Sequence, residues 1–228
     1  RSIDQFVFKK FESEYDNYLQ YGGFPAVVTA DETSLKTEIL TNVFKSFFEK
    51  DIKILSDYKD VKDLRDLLLL LVPRVGSMLD INKLSSEMGI NRVKLYSLLE
   101  FLQGAFMIRL LPKFSRSVDK SVAGGKKVYF SDTGLLNIIG KVNGSQLLEN
   151  SLINQLAEYG HLSFYNYRNT AEIDVVLNKE IAFEIKTKGI DSDYTKLEGL
   201  SEGLKLKKYF VVSKTLVEKN GFISALQI

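Results

Sequence analysis

Asp174, Glu184 and Lys186 interrupt two short runs otherwise suited to the middle of a sheet, Glu172-Ile-Asp-Val-Val-Leu177 and Ile181-Ala-Phe-Glu-Ile-Lys186. An ionised group buried in such a place costs several kcal/mol unless a partner or a metal compensates it. Side chains alternate along a strand, so Glu184 and Lys186 share a face. A three-residue loop at Asn178-Lys179-Glu180 sets Leu177 opposite Ile181 and Asp174 opposite Glu184. One face is then Asp174, Val176, Ala182, Glu184 and Lys186. The other is Ile173, Val175, Leu177, Ile181, Phe183 and Ile185. A two-residue turn would slip the register and send Asp174 across the sheet. Two converging carboxylates make an oxygen site for a hard divalent ion, Mg²⁺ or Mn²⁺, which takes one or two carboxylates plus substrate phosphate. A lysine beside them can orient the water that such an ion acidifies. Asp174 and Glu184 are the expected metal ligands, and the chemistry would be metal-assisted hydrolysis of a phosphate ester.

The elements around this hairpin follow from periodicity. Residues 145–228 read as helix 146–159, strand 163–167, the charged hairpin, a polar segment 188–193, helix 194–204 and a strand Lys208–Ser213. Strands alternating with helices predict a small mixed sheet flanked by helices. Arg168 is placed to neutralise a phosphate or to pair with Glu172, and Lys196 to reach the site from the late helix. Towards the N-terminus, residues 2–20 read as a helix stopped at Gly22-Gly23, and Leu35, Ile39, Val43 and Phe47 mark a second one.

Residues 61–142 carry thirteen Lys and Arg against seven Asp and Glu, a net +6, whereas 1–60 and 143–228 are weakly acidic. A basic middle is what contact with a phosphate backbone requires. Within it, Ile81-Asn-Lys-Leu-Ser-Ser-Glu-Met-Gly-Ile-Asn-Arg-Val-Lys-Leu-Tyr96 resembles a helix-turn-helix with Gly89 in the turn and Asn91 as cap. Leu95, Leu98, Leu99, Leu102 and Phe106 form the apolar stripe of its second helix, and Arg92, Lys94 and Tyr96 face away from it. Strands at 107–114 and 126–131 would add a β-wing, so the unit reads as a winged helix. Lys113, Arg116, Lys120, Lys126 and Lys127 lie on or beside its tip and complete the expected nucleic-acid surface.

Composition excludes several classes. The chain has 228 residues, 45% hydrophobic and 26% charged, which is globular rather than disordered. No apolar run approaches the length of a membrane span, and no signal peptide opens the chain, so a cytoplasmic protein is expected. Zero cysteines exclude disulfides and thiolate metal sites, and one histidine, His161, excludes multi-histidine zinc.

The hairpin resembles the PD-(D/E)XK nuclease superfamily, with Asp174 at the PD aspartate, Ile173 in place of the proline, and Glu184-Ile185-Lys186 as the (D/E)XK element. That resemblance implies a further glutamate from the preceding helix, for which Glu149 is the match. Along its length the chain is similar to the C-terminal portion of prokaryotic AAA+-type ATPases fused to a nuclease-like domain. The matching stretches are Tyr18-Leu-Gln-Tyr-Gly-Gly-Phe-Pro25, Glu49-Lys-Asp-Ile52, the helix-turn-helix, Lys127-Val-Tyr-Phe-Ser-Asp-Thr-Gly-Leu-Leu136, Leu148-Glu-Asn150 and the charged hairpin. The resemblance implies DNA as partner, an ATPase domain upstream in the same polypeptide, and leaves room for a homo-oligomer. No G-x-x-x-x-G-K-[ST] loop occurs, so ATP is not bound here by that route.

The expected fold is α+β: an N-terminal helical segment (1–60) leading from the ATPase, a winged helix (61–142), and a restriction-endonuclease-like domain (143–228). The expected catalytic set is Glu149, Asp174, Glu184 and Lys186. Two other readings stay open: a non-catalytic module that recognises DNA or protein, and a transcriptional regulator whose last unit binds an effector.

Overall fold

Gly22 ends the first helix, α1 (Gln5–Tyr21), by taking a left-handed φ of 74° and donating its N–H to Tyr18 O at 2.8 Å. Pro25 then opens a short helix, α2 (Pro25–Val28), at the position where its missing N–H costs nothing. Two longer helices follow, α3 (Thr33–Ser46) and α4 (Tyr58–Leu71). In α4 the buried residues Leu64, Leu67, Leu68 and Leu71 recur at helical spacing and form one core-facing stripe. The computed structural model describes residues 5–48, 58–117, 124–168 and 170–228. The motif at Glu49–Ile52 and Lys120 of the basic surface lie outside the described residues.

Gly89 and Asn91 act in the next two helices as the sequence marks them, and Asp80 adds a cap that the sequence reading did not name. α5 (Ile81–Met88) is capped by Asp80, whose Oδ1 accepts from Lys83 N at 3.0 Å, and ends at Gly89 with φ 62°. α6 (Arg92–Gly104) is capped by Asn91, whose Oδ1 accepts from Lys94 N at 2.8 Å. Leu95, Leu98, Leu99 and Leu102 are buried as expected, but Phe106 is not part of that stripe. The helix stops at Gly104, and Phe106 sits at φ 55° with its ring 83% exposed. β1 (Ile108–Pro112) and β2 (Lys126–Phe130) form a two-stranded sheet. α7 (Thr133–Ile139) begins at Asp132, which accepts from Leu135 N and Gly23 N, both at 2.9 Å. Gly134 allows the Tyr21 carbonyl to approach closely: a Cβ there would lie 2.1 Å from that oxygen.

The remainder is α8 (Gly144–Leu156), β3 (Leu162–Tyr167), β4 (Ala171–Leu177), β5 (Ile181–Lys186), α9 (Asp191–Gly203), β6 (Lys208–Ser213) and β7 (Phe222–Ser224). The strands make one sheet in the order β3-β4-β5-β6-β7. β3, β4 and β5 are an antiparallel meander, and β6 and β7 add in parallel, with α9 connecting β5 to β6. The strand β7 is not anticipated by the sequence pattern; only three residues long, it leaves no readable alternation. Ile173, Val176, Ala182, Leu197, Leu206, Val211 and Phe114 form one buried cluster of this part.

The chain is thus mixed α and β, with two separate sheets among the described residues. It divides into two compact units, each assembled from separated stretches: Asn17–Leu110 with Val128–Leu147, and Arg1–Asp16 with Leu111–Lys127 and Leu148–Ile228. Among the described residues no helix is long and apolar enough to cross a membrane.

Candidate active site

The charged hairpin turns as its sequence requires. Leu177 pairs with Ile181, Val176 with Ala182 and Val175 with Phe183, so three residues form the loop. Asn178 and Lys179 adopt φ of 52° and 59°, and Glu180 N–H closes the turn on Leu177 O at 3.0 Å. Glu180 is the extra residue, and its carbonyl is taken by Lys207 N at 2.7 Å.

The two faces are not the simple alternation expected. Ser163 pairs with Val176 but Tyr165 pairs with Ile173, so Asp174 and Val175 together oppose Phe164 alone. This bulge resets the pleat, and Ile173 joins Val176 and Ala182 in one cluster instead of facing away from them. Beyond Val175–Phe183 the carboxylate of Asp174 takes over from the backbone: Oδ2 accepts from Ile185 N at 2.8 Å. That bond holds the half-buried Asp174 beside Glu184. Glu184 is buried, and its Oε1 accepts from Lys186 Nζ at 2.7 Å.

Burial pushes the Glu184 carboxyl up to about 7, and the charge of Asp174 adds to the rise; Lys186 and Lys196 oppose it. Lys186 is raised: burial works against its charge, but Glu184, Asp174 and Asp193 outweigh it. Burial, ahead of any charge, is thus what disfavours an ionised Glu184. Lys196 is exposed on α9 and acts at a distance, as does Asp193, whose carboxylate also accepts from Ile190 N at 3.0 Å.

Glu149 lies on α8 and meets the cluster through a residue assigned otherwise by the sequence. Lys127, expected on the nucleic-acid surface, is only 4% exposed. Its Nζ bonds Glu172, stands 3.7 Å from Glu149 and lies 5.3 Å from the Phe164 ring centre. Burial works against that ammonium, yet Glu149, Asp174 and Glu172 hold its pKa above the usual lysine value. Lys127, expected on the nucleic-acid surface, and Glu172, offered as a partner for Arg168, are the two residues whose place in this cluster the sequence did not reveal. One signal was available, since a lysine opening the apolar run Lys127-Val-Tyr-Phe130 is the same anomaly that drew attention to Glu184. Glu172 accepts from Asn166 Nδ2 at 3.2 Å as well as from Lys127, while Arg168, at φ 50°, lies over the Tyr167 ring at 5.3 Å. Among the described residues no three acidic or histidine side chains converge as a preformed metal cage.

The expected nucleic-acid surface is partly withdrawn. Lys94 is paired with Asp60 at 2.7 Å and Asp63 at 2.5 Å, bonds that raise its pKa and that a phosphate would have to displace. Lys127 is buried as described. Arg116 donates to Leu204 O at 2.9 Å and Lys205 O at 3.3 Å. Lys113 runs its backbone beside Phe164 of β3. Arg92, Tyr96 and Lys126 remain exposed. Arg92 reaches Asn82 Oδ1 at 3.3 Å and lines, with Met78, Asn82 and Tyr96, an open recess of about 390 Å³.

Residues 12–146, more than half of the chain, match the family described as "Domain of unknown function (DUF8612)". An uncharacterized protein of Haemophilus influenzae is 29% identical over 194 residues, covering 78% of this chain and 48% of that protein. Uncharacterized protein MJ1544 of Methanocaldococcus jannaschii is 26% identical over 206 residues, covering 84% of this chain and 46% of that protein. The chain spans about half the length of these curated relatives. No solved structure matches it. The family match ends within the first turn of α8, before Glu149, so of the acid–lysine cluster it contains Lys127 alone, and on that match the chain belongs to the DUF8612 family.

Proposed function

We propose that this chain is a DNA-associated nuclease module, dependent on Mg²⁺ or Mn²⁺, within a longer cytoplasmic polypeptide whose other half is an ATPase. One observation carries the reading: just beyond the last paired residues of β4 and β5, Asp174 accepts from the Ile185 N–H next to Glu184, with Lys186 on Glu184. The donor set suits a hard ion. It is all oxygen, Asp174 is half-buried and Glu184 buried, and a cation there would offset the cost that burial first, and the Asp174 charge second, put on an ionised Glu184. Asp174 Oδ1 and Glu184 Oε2 make no hydrogen bond among the described residues, which leaves one oxygen of each for the ion.

When bound, the ion would polarise the phosphate and make water a competent nucleophile near neutral pH. The chain supplies the rest. Ile185 N–H fixes the Asp174 carboxylate, burial excludes bulk water from Glu184, and Lys186 donates to whichever oxygen replaces Glu184 Oε1 as its partner. Arg92, Tyr96 and Lys126 are the exposed candidates for holding the duplex. Assembly into a homo-oligomer belongs to the same reading.

The closed Lys186–Glu184 pair favours a second reading, a non-catalytic module in which the hairpin charges satisfy one another. Nicking of supercoiled plasmid in Mn²⁺ tests the first, comparing the chain with Asp174→Asn and Lys186→Met. Asp174→Asn keeps an oxygen for Ile185 N–H, so a folded but inactive variant is the expected result. Equal nicking by all three proteins sinks the nuclease. Calorimetry separates the two readings, because the non-catalytic module shows no Mn²⁺ binding that depends on Asp174 and Glu184.

A further inference from the structure

Phe106 stands where a phenylalanine is doubly disfavoured. α6 closes with Met107 N–H on Leu102 O at 2.9 Å and Phe106 N–H on Gln103 O at 3.0 Å. This paired close puts Phe106 in the left-handed position that glycine usually fills, at φ 55°. Its ring is 83% exposed, while Met107 beside it is buried. A strained backbone under an exposed apolar ring points to a contact made outside the single chain.

Next to that ring lies an open recess of about 620 Å³, within the unit Asn17–Leu110 with Val128–Leu147. Phe24, Ile39, Val43, Met107 and Leu135 line it, with Phe106 in its wall. Of the apolar stripe that marks α3, Phe47 is buried, Ile39 and Val43 are half-buried and Leu35 is 45% exposed, since α3 turns Leu40 inward instead. Leu35 thus extends the apolar face one turn beyond Ile39.

The character of this face selects its occupant. No charged side chain is among the described residues lining the recess. A second copy of the same face meets it without the like-charge repulsion that a charged face would suffer on pairing with itself. A projecting ring and a hollow on one face also complement each other under a two-fold axis, each ring entering the other copy's recess. A buried phenylalanine covers about 150–250 Å². Two rings and the walls they meet therefore bury on the order of 600–1,000 Å², the size of a weak, transient interface.

We propose that Phe106 and the recess lined by α3 and α7 form a homodimer interface, in which each copy's Phe106 ring fills the recess of the other. The homo-oligomer of the proposed function then has a surface and a two-fold symmetry. Pairing of this kind requires neither a metal nor the charged hairpin, so it stands or falls apart from the nuclease.

Sedimentation velocity of the whole chain, with a chelator present and from about 1 µM to about 500 µM, tests the pairing. The native chain is expected to pass from monomer to dimer with a Kd on the order of 10–100 µM. Phe106→Gly removes the ring and suits the left-handed backbone, and Asn42→Glu sets a carboxylate in the recess at an exposed position. Both keep the fold, which circular dichroism checks, and each should raise the Kd at least about tenfold. A native chain that stays monomeric at the highest concentration overturns the inference and leaves the recess to another part of the longer polypeptide. Dimerisation that either variant matches overturns it as well, because the contact then lies on another face. Absence of plasmid nicking in a chain that pairs as expected counts against the nuclease alone.

Discussion

Replacing Glu184 by Gln removes the charge and keeps the shape, and its effect on stability should depend on pH. The folded carboxyl titrates at about 7 against an ordinary value of 4.5, chiefly because burial disfavours the ionised form. Folding therefore favours the protonated group. The stability it contributes is complete below the unfolded value and is lost as pH rises through the folded one. At 1.36 kcal/mol per pKa unit, that difference is worth about 3 kcal/mol at most. The Lys186 bond is already contained in that value, and because the unfolded carboxyl is largely ionised by pH 5, the change expected between the two pH values is roughly 1–3 kcal/mol. Urea unfolding with a chelator present, at about pH 5 and about pH 8, should show Glu184→Gln gaining on the native chain by that amount at the higher pH. Other titrations cancel in the difference. Mn²⁺ should then restore the native chain at the higher pH, by about 2.7 kcal/mol at a hundredfold excess over its Kd, and leave the variant unmoved. A native-minus-variant difference that is flat with pH, or that moves the other way, refutes the account of Glu184 as a buried carboxylate awaiting a cation.

Other perturbations read the rest of the molecule. Arg92→Ala should weaken duplex binding and lower the salt slope by about one unit in a filter-binding titration, whereas Lys94→Ala should leave both nearly unchanged. Phe106→Gly should stabilise the chain by about 0.5–1 kcal/mol in chemical denaturation, since it relieves a left-handed φ of 55° at an exposed ring. Ile173→Ala should cost about 2–5 kcal/mol in the same assay, because the bulge turns Ile173 into the cluster with Val176 and Leu197.

What the sequence made readable is what is decided locally. Asn91 caps its helix through its own amide oxygen three residues on, and Gly89 takes its left-handed turn whatever surrounds it. The register of the hairpin follows from its three-residue loop in the same way, since Leu177 and Ile181 are neighbours through the turn itself. Phe106 misled because the helical stripe extrapolates past Gly104, where only the following chain direction decides that the ring turns out. The bulge at Asp174 and Val175 was hidden because it belongs to the pairing of β4 with β3, not with β5. Lys127 was hidden for a stronger reason: its burial requires α8 and β4, more than twenty residues downstream, to bring Glu149 and Glu172 to it. A polar side chain inside an apolar strand is readable as an anomaly, but its compensation is tertiary. The same rule that singles out Glu184, applied without regard to the sign of the charge, would have singled out Lys127. Opposite anomalies on separate strands are then best sought as partners, because each lowers the cost of burying the other.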